Sequence, residues 1–130
     1  EIKSGKLKNL VKNNTLLVDG SHNEDGSIAL NNYLNSLNCK KHIIIGMMAN
    51  KEHEKYISYF KNISSLTTVD IPNQPNSIGG KELKEKFNYI KNINYSDSIE
   101  NALKNIKPTQ GDIILITGSL YLAGEVLNQN

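Results

Sequence analysis

Four short runs of aliphatic and β-branched residues most constrain this chain: TLLV at 15–18, HIIIGM at 42–47, LTTV at 66–69 and IILIT at 113–117. Each is the length of a strand and is bounded by turn-forming residues. Runs that are apolar without alternation belong to strands covered on both faces. Between them lie stretches with helical spacing. From Asp25, the residues Ile28, Ala29, Tyr33, Leu34 and Leu37 recur at steps of three and four, predicting a helix that buries that face. Residues 51–60 and 81–87 predict two further charged, amphipathic helices, and residues 93–95 a short strand. A helix carrying Ile99, Ala102, Leu103 and Ile106 starts from a cap at Ser96 or Asp97 and stops at Pro108. Residues 119–127 form the last helix. Strands joined by helices of about ten residues connect through right-handed crossovers into a parallel sheet. The expected fold is therefore α/β: a Rossmann-like three-layer domain with a mostly parallel sheet and helices on both faces.

Length and composition remove most other classes. The 130 residues suit one domain, 1–130, and 38% hydrophobic with 22% charged residues supports a folded core rather than disorder. No apolar run approaches the roughly 18 residues of a membrane helix, and residues 1–15 lack a signal peptide's apolar region. The expected location is cytoplasmic, with no membrane partner. A single cysteine, Cys39, reads as a small, partly buried hydrophobe, and with three scattered histidines it makes no zinc set. All fifteen basic residues are lysines, dispersed among acids to a net charge of +2, so no electrostatic footprint for nucleic acid exists. The chain starts at Glu1 on a polar stretch without evident structure of its own, which reads as a piece of something longer.

In parallel α/β sheets, ligands bind where strand carboxyl ends open into helix N-termini. Two polar clusters fall there. Asp19-Gly20-Ser21-His22-Asn23 offers a carboxylate able to accept both hydroxyls of a ribose, a permissive glycine and an imidazole. Its structural alternative is a capped turn in which Asp19 and Asn23 satisfy backbone amides and His22 is a surface residue. Thr117-Gly118-Ser119-Leu120-Tyr121 offers hydroxyls and free amides to a carboxylate or phosphate, or simply a serine N-cap. Lys51-Glu52-His53 reads as a solvated first turn and His42 as structural. Neither GxGxxG nor a GxxxxGK[ST] P-loop is present, so a triphosphate loop must come from another segment.

These clusters resemble a known family. Residues 17–26, LVDGSHNEDG, resemble the "LLDGAHNPDG" signature of folylpolyglutamate synthases and bifunctional dihydrofolate synthases. Residues 116–126, ITGSLYLAGEV, resemble their closing "VTGSLYLVGEV", and Gly46-Met47-Met48 with Asn50-Lys51-Glu52 is similar to their "GMMKDKD". The resemblance runs from Gly5 to Val126 and implies the carboxyl-terminal domain of a three-domain enzyme of the Mur ligase superfamily. The P-loop and Mg2+ ligands then belong to N-terminal ATPase domains absent from this chain.

What the resemblance implies is an ATP-dependent amide ligase that adds L-glutamate to dihydropteroate or to folate polyglutamates through an acyl phosphate. The partners are ATP, L-glutamate, dihydropteroate or folate and the N-terminal domains, in a monomer. On matched positions, Asp19 contacts ATP, while His22 and Ser119 face the incoming glutamate and the phosphate end of the site. Gly5-Lys6-Leu7-Lys8 stands where the family has a "GRLE"-like segment, so Lys6 replaces an arginine that contacts ATP, keeping the charge without the planar fork. No residue is assigned a catalytic or metal-binding role. The alternatives are a peptidoglycan Mur-type amino-acid ligase domain and a non-catalytic nucleotide-binding domain. The 130 residues alone are expected to be inactive.

Overall fold

The computed structural model describes residues 1–130. Five strands, β1 (Thr15–Val18), β2 (Lys41–Ile45), β3 (Ile63–Val69), β4 (Ile93–Ser96) and β5 (Ile113–Thr117), form one sheet. Their order is β1-β5-β2-β3-β4, and every neighbouring pair is parallel. The helices are α1 (Lys6–Asn9), α2 (Glu24–Ser36), α3 (His53–Ser58), α4 (Gly80–Lys86), α5 (Ile99–Asn105) and α6 (Leu120–Gln129). No helix is long and apolar enough to cross a membrane.

Side-chain alternation along the strands divides the core in two. Ile43, Ile45, Leu66 and Leu115 meet Leu30 and Leu34 of α2, Tyr56 and Ile57 of α3 and Leu83 of α4. Leu16, Ile44, Ile114 and Ile116 point the other way, toward Leu7, Val11, α5 and α6. Two apolar layers against one sheet make the expected three-layer fold.

Three local expectations are corrected. Helix α2 buries Ser27, Leu30, Asn31 and Leu34, whereas Ile28, Tyr33 and Leu37 are exposed. Counting apolar residues selected the wrong stripe, because the α2–α3 seam carries two polar side chains. There Ser27 Oγ donates to the Tyr56 carbonyl oxygen at 2.6 Å, and Asn31 Nδ2 donates to the Ser27 carbonyl oxygen at 2.8 Å. The cap of α5 is Ser98, whose Oγ accepts from Asn101 N–H, rather than Ser96 or Asp97. The opening stretch also has structure. Helix α1 buries Leu7, and the chain's last residue caps it: Asn130 Oδ1 accepts from Leu7 and Lys8 N–H at 3.0 and 3.2 Å. This side chain supplies what Gly5, at the N-cap, lacks.

Candidate functional site

Strand β5 is the last made but lies between β1 and β2. The helices following β1 and β5 depart to opposite faces of the sheet, and the crevice between their N-termini is the topological switch point of the fold. Both polar clusters are there.

In the β1–α2 turn, Asp19 Oδ1 accepts from Ser21 N–H at 2.8 Å, and Asn23 Oδ1 caps α2 by accepting from Gly26 N–H at 3.0 Å. The turn is thus capped as its structural alternative described. His22 Nδ1 lies 3.1 Å from the Gly20 carbonyl oxygen. A carbonyl only accepts, so this nitrogen carries a proton, which in the uncharged tautomer leaves Nε2 as an acceptor. In the β5–α6 turn, Ser119 caps the last helix, its Oγ accepting from Tyr121 N–H at 3.0 Å. The hydroxyl proton remains available to a ligand.

The two turns are fastened to each other. The Ser21 carbonyl oxygen accepts from Gly118 N–H at 3.1 Å and from the Tyr56 hydroxyl at 3.1 Å, and Thr117 Oγ1 lies 2.7 Å from that hydroxyl. Tyr56 is fully buried in α3, and burial pushes its hydroxyl far above the ordinary tyrosine range, so it stays a neutral donor. Sequence periodicity placed Tyr56 only in an amphipathic helix. Removing the hydroxyl leaves buried Thr117 without this partner. Tyr56→Phe is expected to cost about 1–2 kcal/mol, and urea unfolding together with the Ser21 and Gly118 amide chemical shifts checks it.

A cleft of about 240 Å³ is lined by His22, Met48, Lys51, Ser119, Leu120 and Tyr121, with Asn50. A second hollow of about 180 Å³ shares His22, Asn50 and Lys51 and reaches Glu24 and Lys55. His22 therefore stands between two adjoining spaces. Lys55 Nζ is 3.0 Å from Glu24 Oε2, and Tyr59 also donates to Glu24, so its carboxyl is held below the usual range by the Tyr59 and then the Lys55 hydrogen bond. Lys51 makes no ion pair and is the cation facing both spaces. The first turn of α3 is not simply solvated, because His53 is buried and its Nε2 lies 2.8 Å from the Met48 carbonyl oxygen, anchoring the loop that carries Lys51.

The structure brings His22 and Ser119 together. Asp19 holds the same turn but lines neither space, with Oδ2 free of hydrogen bonds. Lys6 is elsewhere: its N–H donates to the Asn130 carbonyl oxygen, one helix length from Ser119, and its amine lies 3.8 Å from Glu100. No three His, Cys, Asp or Glu side chains converge as metal ligands.

A parallel sheet with a central return strand and paired polar turns at the strand carboxyl ends defines a Rossmann-like domain. A family model described as "Mur ligase, glutamate ligase domain" matches residues 7–120. The chain belongs to that family, although Lys6 falls just outside the matched span. A search of curated proteins by sequence finds no match.

Among solved structures, the fold resembles a folylpolyglutamate synthase from Mycobacterium tuberculosis complexed with ADP and AMPPCP (TM-score 0.77, 16% identity, 87% of this chain and 29% of that one). It also resembles a bifunctional folylpolyglutamate synthase/dihydrofolate synthase from Yersinia pestis complexed with AMPPNP and Mn ion (TM-score 0.75, 17% identity, 87% and 28%). A third likeness is E. coli FolC in complex with DHPP and ADP (TM-score 0.67, 18% identity, 85% and 28%). The chain thus spans less than a third of the length of each of these structures.

Proposed function

We propose that residues 1–130 act as the carboxyl-terminal domain of a cytoplasmic, ATP-dependent ligase that joins L-glutamate to dihydropteroate or to folate polyglutamates. The observation carrying this reading is the meeting of His22, Ser119 and Lys51 at one cleft of a domain in the glutamate ligase family. ATP, when bound, supplies the phosphoryl group that turns a substrate carboxylate into an acyl phosphate. This chain's residues bind and orient. Asp19 directs its free carboxylate oxygen toward ribose hydroxyls. Ser119 donates to an oxyanion at the N-terminus of α6, where free backbone amides add to the attraction. His22 offers Nε2 to a ligand N–H or hydroxyl. Closing such a cleft over an acyl phosphate excludes water from it. The P-loop, magnesium ligands and folate contacts lie in N-terminal domains of the same protein, which acts as a monomer.

In the whole ligase, Asp19→Ala is expected to raise KM for ATP and Ser119→Ala to raise KM for glutamate, each by about tenfold, the loss of one charge-assisted hydrogen bond. Lys6→Ala raises the ATP requirement if its side chain reaches the nucleotide in the closed enzyme. Steady-state kinetics with each substrate varied separately tests this. Unchanged constants in all variants would remove the site assignment, and turnover only with UDP-muramyl substrates would overturn the folate reading. The 130-residue chain alone is expected to ligate no glutamate.

A further inference from the structure

A cavity of about 500 Å³ lies away from the cleft and shares no residue with it. Its origin is the shortness of α5. That helix packs Ile99, Ala102 and Leu103 into the core and ends at Asn105, after which Ile106 is extended and the chain leaves the sheet. The sheet face beyond it is polar. Ser65 and Thr67 of β3 and Ser96 of β4 share the face that carries Ile44 and Ile114 nearer the centre.

These hydroxyls lie at the bottom of a hollow rather than on an open surface. Ser65, Thr67, Ser96 and His42 are between 5% and 7% exposed, so the cavity has a buried polar floor, while Asn94 and Lys107 on its rim are exposed. The hydroxyls of Thr67 and Ser96 make no hydrogen bond within the chain. Neither oxygen is sealed off from the cavity, so both are free to bond water or a ligand that enters it.

The remaining floor is pre-arranged. His42 Nε2 lies 2.9 Å from Asp112 Oδ2 and Nδ1 lies 2.7 Å from Ser65 Oγ. The Asp112 carboxylate accepts from Nε2–H, and in the tautomer this fixes Nδ1 accepts from the Ser65 hydroxyl, leaving the Ser65 oxygen's lone pairs for the cavity. The floor therefore accepts at Ser65 and both donates and accepts at Thr67 and Ser96. Lys107 makes no ion pair, and no carboxylate lines the cavity.

We infer that this cavity is a second ligand site, for a small hydroxylated phosphate monoester whose hydroxyls meet Ser65, Thr67 and Ser96 and whose phosphate meets Lys107. Its volume falls within the roughly 300–1,000 Å³ of small-molecule sites. The lining suits a polar metabolite rather than an apolar one, because eight of its ten residues are polar.

The test titrates the ¹⁵N-labelled chain with ribose 5-phosphate, ribose and inorganic phosphate. Ribose 5-phosphate is expected to move the amides of Ser65, Thr67, Asn94, Ser96 and Lys107 saturably, binding at least about tenfold more tightly than ribose or phosphate alone. Lys107→Gln and Thr67→Val are each expected to weaken it by about fivefold or more, a factor set by one lost polar contact. Both variants leave the apolar core untouched. The proposal is overturned if no saturable shift occurs at about 20 mM, well above the weakest specific affinities. It is equally overturned if the shifts are confined to residues 19–23 and 117–121, or if Lys107→Gln binds as the unaltered chain does.

Discussion

Gly118→Ala is expected to destabilise the chain by about 3–5 kcal/mol, combining backbone strain with overpacking, and to pull the two site turns apart. Gly118 has φ of +112°, a region that L side chains rarely adopt. A β-carbon there would lie 2.5 Å from the Gly46 carbonyl oxygen and 2.9 Å from Ile45 Cγ1. The first obstacle is backbone of the adjoining β2 end, which cannot swing aside as a flexible side chain would. Any relief must move the Gly118 N–H away from Ser21, undoing the bond that joins the turns. Gly111→Ala is the control: φ is +88° but nothing lies within 4 Å of the added carbon. Its cost is expected to be conformational only, about 1–2 kcal/mol. Equal losses in urea unfolding would show that the close approach at Gly118 contributes nothing.

The second large effect is expected at His42. His42→Ala removes a buried ring and leaves Asp112 and Ser65 without their shared partner, costing about 2–4 kcal/mol. The same pair has a pH signature. Burial pushes the Asp112 carboxyl up, but hydrogen bonds from Thr109 N–H, His42 and the Thr109 hydroxyl outweigh it and leave the pKa below the ordinary 3.8. A carboxyl depressed in the folded state stabilises fully above its unfolded value, and that contribution is lost as pH falls through the folded one. Urea midpoints of the parent chain and Asp112→Asn are therefore expected to differ at pH 7 and to converge below about pH 4. A gap that stays constant down to pH 2 would show that the charge of Asp112 is not what stabilises the pair.

Much of the fold was legible because buried strands have a composition of their own. IILIT and HIIIGM can be little else in a chain this size, and the Asp-Gly and Thr-Gly-Ser turns after β1 and β5 mark where strands open. Strand order is different in kind. Nothing local to residues 113–117 says that they pair with both β1 and β2, and the cleft follows from that pairing. His22 and Ser119 were identifiable from their turns and motifs. Tyr56 was not, since its role depends on a hydroxyl meeting two backbone segments distant in sequence. The buried face of α2 departs from the apolar pattern for a related reason: Ser27 is interior where its hydroxyl meets the Tyr56 carbonyl, and Asn31 bonds back to Ser27. Lys6 shows the converse limit. Its position in the motif points to the nucleotide, while the Asn130 clasp holds its backbone at the far end of α6.

The central placement of β5 bears on how the domain is made. Strand β1 pairs along its length only with β5, and β2 otherwise has only β3 beside it. Beyond a single bridge from Ile2 to Leu16, residues 15–18 must wait during synthesis for residues 113–117, a separation of nearly a hundred residues, before gaining their parallel strand partner. Until then, an early intermediate can assemble β2, β3 and β4 with α3 and α4, leaving the aliphatic edge of β2 open. The turn bearing His22 acquires its contact with Gly118 only after that gap is filled. Binding competence is thus a late event in folding, and a nascent chain stalled before Ile113 would expose an adhesive sheet edge.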